Sequence, residues 1–309
     1  MQWNETPPLP TAPAPPENRK AGDAGTALNV VYVLYVPSVP FVSSFGGINC
    51  PFPFSKKGAY SLGPSMNALY RSFLMLIALV AQGFATESTF QSGPARVHLL
   101  ELYTSEGCSS CPPAERYFTT LKQNPLLWKS VVPVAFHVDY WDGLGWKDKL
   151  SAPSFTARQR SYAAAWGSRS VYTPAFVLDG NEWQERDLGN LGATENVGNL
   201  SASLDGAGNV RLTYKPADAK NSQSLRAYVV LLGMGLSSDV RSGENAGRKL
   251  SHDFAALAFE TGEMKAQGED LVGTVRIPAD RILAGRTALA VWVANRDRLE
   301  PVQAVGGPL

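Results

Sequence analysis

Cys108 and Cys111 form a Cys-x-x-Cys pair, and two thiols at that spacing can exchange disulfides. The attacking species in such exchange is the thiolate. A cysteine at a helix N-terminus has its pKa lowered by the helix dipole and by backbone amides without intrahelical partners. Cys108 is the expected nucleophile, and Cys111, one helical turn on and on the same face, is placed to attack the mixed disulfide and release the product. The inert alternative for the same residues is a structural disulfide or a buried pair. Ser109 and Ser110 can donate hydrogen bonds to the thiolate, whereas Glu106 and Glu115 oppose it electrostatically.

Three other residues have chemistry of their own. Glu101 interrupts an apolar run shortly before the pair, so it is either a buried carboxylate able to take the proton of Cys111 or a group that faces solvent or pairs with an arginine. His137 and Asp139 alternate onto one face of a later apolar run. His137 with the two thiols would make a soft sulfur and nitrogen set for copper(I) or zinc, against the plainer reading of a satisfied core histidine. His252 sits in a polar stretch that reads as a solvated hairpin.

The elements that must position the thiols are legible on either side of them. Val97 to Tyr103 is a short apolar run suited to a strand buried on both faces. After Pro112 and Pro113, which suit a helix start, Ala114, Tyr117, Phe118 and Leu121 recur at helical spacing until Asn124-Pro125 stops them. Val131 to Asp139 reads as a second buried strand, and strand, helix, strand of this length implies a parallel crossover. Tyr140 to Gly167 carries Trp141, Trp146, Phe155, Tyr162 and Trp166, with a helix expected from an N-cap at Ser154 to Gly167. This aromatic insertion either packs a lobe or walls a substrate groove. A strand then runs from Val171 into the turn at Asp179-Gly180. Beyond residue 200, Val210 to Tyr214, Leu225 to Leu232, Leu271 to Ile277 and Thr287 to Ala294 read as strands of a small, mostly antiparallel sheet or sandwich.

A chain of 309 residues, 44% hydrophobic, can bury a substantial core. Its net charge of +1 gives no field to attract nucleic acid or a membrane surface. Residues 1–65 hold 11 of the 22 prolines and read as a doubtful Pro-rich segment outside the folded region, left untranslated if Met66 is the start. The run Leu28 to Val42 is broken by Pro37 and Pro40 and is a poor membrane span. From Met66, a short n-region with Arg71, the apolar stretch Phe73 to Ala81 and the small residues around Gly83 to Ala85 make a secretory signal over 66–85. The expected location is therefore periplasmic or secreted, with Met66 as the start. Cys50 then drops out, leaving Cys108 and Cys111 as the only cysteines of the exported chain.

The segments LELYTSEGCSSCPPAE, FHVDYWDGLGWKD, YTPAFVLDG and GENAGRKLSHD resemble a bacterial exported family, thioredoxin-like and catalogued as domain of unknown function 1223. The likeness spans about residues 95 to 300. It implies an α/β thioredoxin-like fold over 95–200 with an aromatic-rich insertion, followed by a C-terminal mostly antiparallel β region over 201–309. It also implies that Pro174 is a cis proline facing the dithiol, which leaves the backbone of Thr173 free to pair with an extended substrate. The function expected is an exported thiol-disulfide oxidoreductase without a cofactor, acting on protein or small-molecule disulfides with a redox partner. The alternative is a non-catalytic metal-binding or interaction protein.

Overall fold

β-strand β2 (His98–Thr104) is buried on both faces, and its residues alternate between two different helices. Leu100, Leu102 and Thr104 face α1 (Pro112–Thr120), whereas Leu99, Glu101 and Tyr103 face α2 (Pro153–Ala165). The chain leaves β2, turns through the cysteines into α1 and returns as β3 (Val131–His137), parallel to β2 from His98 opposite Val131 to Thr104 opposite His137. β4 (Ala175–Leu178) joins the other side of β2 antiparallel. The computed structural model describes residues 87–309 apart from 185–186, 192–194, 219–223, 283–284 and 297. The Pro-rich segment, Cys50 and the stretch expected to be a secretory signal lie outside the described residues.

The sheet does not end with this unit. β3 continues through β11 (Ala255–Glu263) into β8 (Leu225–Gly233), β14 (Thr287–Asn295) and β15 (Pro301–Pro308), giving eight strands in the order β15-β14-β8-β11-β3-β2-β4-β5, with β5 at Asn181–Glu182. The junction is the parallel contact of Ala255 with Ala135. A second sheet, of order β1-β6-β7-β13-β12, comprises β1 (Ser88–Gln91), β6 (Gly198–Leu204), β7 (Asn209–Pro216), β13 (Asp270–Arg276) and β12 (Lys265–Gln267). β9 (Leu236–Asp239) and β10 (Lys249–His252) form a third, two-stranded sheet.

This architecture corrects the expectation of an α/β thioredoxin-like fold with an appended β region. Fifteen strands stand against two α-helices among the described residues, and the protein is mostly β. The physical reason lies in β8 and β14, whose side chains are apolar on both faces. Ala288, Ala290, Trp292 and Ala294 enter one core, while Leu289, Val291 and Val293 enter the other, against the five-stranded sheet. Strands of that kind belong at the centre of a large sheet, not on a half-exposed one. The helix expected from an N-cap at Ser154 instead has Ala152 at its N-cap, with Pro153 in its first turn and no side-chain cap.

The first core closes around a buried charge. Arg158 of α2 donates from Nε to Glu101 Oε2 at 2.8 Å and from a terminal nitrogen to Oε1 at 2.7 Å, with both side chains at most 3% exposed. Tyr103 and Tyr162 donate to the same carboxylate at 2.7 and 2.6 Å. The guanidinium carbon lies 5.0 Å from the Trp292 ring centre, 5.1 Å from Tyr162 and 5.4 Å from Tyr228. Removing one member of such a pair strands the other charge without water. Glu101→Gln is therefore expected to destabilise the fold by about 3–5 kcal/mol, measured by urea unfolding, and Glu101→Leu with Arg158→Met to recover most of that loss.

Candidate functional site

Cys111 is the N-cap of α1, followed at once by Pro112 and Pro113, and its carbonyl accepts from the amides of Ala114 and Glu115. Cys108 lies in the preceding turn, where the amide of Cys111 donates to its carbonyl. Both cysteines are buried free thiols. The loop ahead of the helix is held from far along the chain. Asn245, fully buried, donates to the carbonyls of Glu106 and Cys108, both at 2.9 Å, and Glu244 accepts from the amide of Ser109 at 3.0 Å.

The two thiols have opposite electrostatics. The hydrogen bond from Cys111 is the largest influence favouring the Cys108 thiolate. Burial opposes it, while Ser110, whose Oγ is 3.2 Å from Cys108 Sγ, and Thr173 add to it, and the Cys108 pKa falls to about 6. Burial, and then the neighbouring Cys108, push Cys111 far above the ordinary thiol range. The Thr173–Pro174 peptide is cis, and the Thr173 carbonyl lies 3.8 Å from Cys108 Sγ. Trp141 of the insertion donates to Thr173 Oγ1 at 2.9 Å.

Glu101 lies on the other face of β2 from the cysteine-bearing helix and is fully engaged by Arg158, Tyr103 and Tyr162. Of the two readings open to it, the arginine pair is the one the structure adopts. The side chains behind Cys111 are others. Thr104 is within hydrogen-bonding reach of Cys111 and donates to Glu115 Oε1 at 2.8 Å. The other Glu115 oxygen is in short contact with His252 Nδ1, and His252 Nε2 lies 3.1 Å from Glu106 Oε1. Trp146 donates to Glu106 Oε2 at 2.6 Å. Asp148 Oδ2 accepts from the Glu106 amide at 2.9 Å and lies 2.6 Å from His137 Nδ1.

Glu106, Glu115, His137, Asp148 and His252 are all buried, and the two imidazole rings meet edge-on with centres 5.0 Å apart. Burial alone would lower both histidine pKa values. For His252, hydrogen bonds and charge from Glu106 and Glu115 outweigh it and lift the pKa to about 10, while Asp148 raises that of His137. Asp148 itself is held at about 2: burial pushes it up, but the charge and hydrogen bond of His137 prevail. His252, expected on a solvated hairpin, is 1% exposed on β10. His137 keeps company with Glu115 and His252 rather than with the thiols: among the described residues, these three make the cluster of metal-capable side chains. Glu106 and Glu115, expected to oppose the thiolate, are buried partners of His252.

Fold and site together define a mostly β protein in which a dithiol at a helix start is backed by a buried carboxylate–imidazole cluster. The chain belongs to the family described as "Protein of unknown function (DUF1223)", whose pattern matches residues 99–294. Among solved structures it is similar to a protein of Agrobacterium tumefaciens, at 26% identity and a TM-score of 0.52, covering 69% of this chain and 94% of that one. It is also similar in fold to HBP35 of Porphyromonas gingivalis, at 14% identity and a TM-score of 0.51, covering 70% of this chain and 76% of the other. No curated protein sequence matches it significantly.

Thiolate forms above the pKa, so alkylation of Cys108 by iodoacetamide is expected to rise through about pH 6 and level off above it. In Cys111→Ala, the rise moves up toward the ordinary thiol pKa, because the largest influence favouring the thiolate is gone. Rates of mass gain at each pH, by mass spectrometry, give both curves.

Proposed function

We propose that this chain is an exported thiol-disulfide oxidoreductase acting on protein or small-molecule disulfides through Cys108 and Cys111. The observation that carries the reading is the unequal placement of the two sulfurs: Cys108 Sγ lies 3.2 Å from Ser110 Oγ and 3.8 Å from the Thr173 carbonyl, while Cys111 is fully buried at the N-cap of α1. These surroundings lower the Cys108 pKa and raise that of Cys111, and exchange needs one sulfur to attack as thiolate while the other waits.

The reaction is written for reduction of a substrate disulfide. The Cys108 thiolate attacks one sulfur, a new sulfur–sulfur bond joins Cys108 to the substrate, and the second substrate sulfur leaves as thiolate and takes up a proton. Cys111 then loses its proton and attacks Cys108. The mixed disulfide breaks, the first substrate sulfur leaves as a thiol, and the protein holds a Cys108–Cys111 disulfide. Two electrons have passed from protein to substrate, and a partner dithiol returns them by the same exchange. Run backwards, the same steps oxidise a dithiol substrate.

A groove of about 390 Å³, lined by Tyr103, Gln159, Trp166, Tyr172 and Ala175, favours an extended substrate with an apolar side chain. Tyr172 and Ala175 flank Thr173 and Pro174, so the groove adjoins the segment whose Thr173 carbonyl lies 3.8 Å from Cys108 Sγ. Tyr172 is 49% exposed and Trp166 39%, surface that such a substrate would cover.

Cys108→Ser is expected to abolish reduction of insulin disulfides, whereas Cys111→Ser accumulates a covalent adduct between Cys108 and the substrate. Gel mobility without reductant and mass spectrometry read the adduct. An active Cys108→Ser protein, or a Cys111→Ser protein that traps nothing, would sink the proposal.

A further inference from the structure

The cluster behind the dithiol contains more binding capacity than its internal contacts use. Nε2 of His137 is buried without a hydrogen-bond partner, whereas His252 Nε2 and Glu106 Oε1, 3.1 Å apart, pair with each other. Buried polar atoms almost always have a partner, so the orphaned nitrogen of His137 needs a reason. Donor atoms of Glu115, His137 and His252 all lie within 4.8 Å of one another. The far nitrogen of His137 is fixed by a carboxylate: Asp148 stands 2.6 Å from its Nδ1. A carboxylate on the far nitrogen is how metal-binding histidines are oriented and made more basic.

Charge points the same way. Glu106, Glu115 and Asp148 bring three carboxylates to two imidazoles in a space from which water is largely excluded. With both imidazoles neutral, three negative charges would be uncompensated; a divalent ion brings that to one, as two imidazole protons would. Metal and protons thus compete for the same place, and binding the ion releases protons. A pocket of about 330 Å³ with Glu115, Thr119 and Leu250 in its wall leads from the surface toward this group. Arg116 and Lys249 also border it, so loading is expected to be faster at high ionic strength.

We infer that His137, His252 and Glu115 form a binding site for a divalent first-row transition ion, with Asp148 positioning His137 from behind. Two imidazoles and carboxylate oxygen suit zinc, which tetrahedral nitrogen and oxygen sets bind. The site uses neither sulfur of the dithiol, and it stands whether or not the dithiol exchanges disulfides.

The test uses the full chain, treated with chelator, carrying Cys108→Ser and Cys111→Ser so that thiols contribute nothing. Titration with zinc chloride in a calorimeter is expected to show one ion per chain with proton release, read from the heat in buffers of different ionisation enthalpy. Asp148→Asn weakens binding by about 10–100-fold, the usual effect of losing a carboxylate behind a metal-bound histidine. His137→Gln abolishes stoichiometric binding. Absence of zinc binding in the serine double variant, or binding unchanged by His137→Gln, would overturn the inference. Should His137→Gln fail to fold, cobalt(II) added to the chain with both cysteines intact decides the matter. Absorption bands of nitrogen and oxygen ligation alone support the site, and a sulfur-to-cobalt charge-transfer band overturns it.

Discussion

Arg158 carries its charge into the centre of the protein, and much of the first core is arranged so that it can stay there. Among the described residues its anionic contact is Glu101, met by two hydrogen bonds, and its faces are covered by rings from β3, β8, β11, β14 and α2. A guanidinium separated from water tolerates such a place because aromatic faces are electron-rich and a carboxylate returns what desolvation takes away. Tyr228, Trp292 and Phe259 stack with one another, so the residue that binds Glu101 also binds the halves of the large sheet into one body. One arginine thereby ties the strands around the cysteines to strands more than 100 residues later in the chain.

The alternation of β2 then divides the labour. One face takes Glu101 and Tyr103 to the structural charge; the other takes Thr104 to Glu115 and the cluster behind the thiols. Side chains three residues apart are thus committed to different tasks, separated by the thickness of a strand. Because β3 lies in parallel register with β2, His137 falls beside Thr104 and joins the second task. Two polar groups are buried back to back, each with its charges opposed on its own side.

What the sequence disclosed follows from range. β2, α1 and β3 were readable because apolar runs, the paired prolines and helical spacing are local signals, and the observed ends of the two strands lie within two residues of those expected. The resemblance to the family was readable from four short segments, and the match over residues 99–294 bears it out. The fold was not, because pairing between β3 and β11 depends on residues about 120 apart, and nothing local says that Ala255 lies beside Ala135. Two signals were present and passed over. Unbroken apolar runs at Leu225 and Thr287 mark strands covered on both faces, and Leu250 with His252 has the two-residue period of one buried strand face. The partner of Glu101 was out of reach for the same reason as the sheet, since Arg158 is 57 residues away.

Asn245 closes the turn around Cys108 from 137 residues downstream. A chain emerging from N- to C-terminus therefore presents both cysteines long before it has the residue that shapes their loop. Until the segment around Asn245 arrives, the carbonyls of Glu106 and Cys108 lack the donor that holds them in the folded protein. The final shape of the loop is therefore tied to a part of the chain made long after it. Damage to the segment around Asn245 would loosen that loop without altering either cysteine.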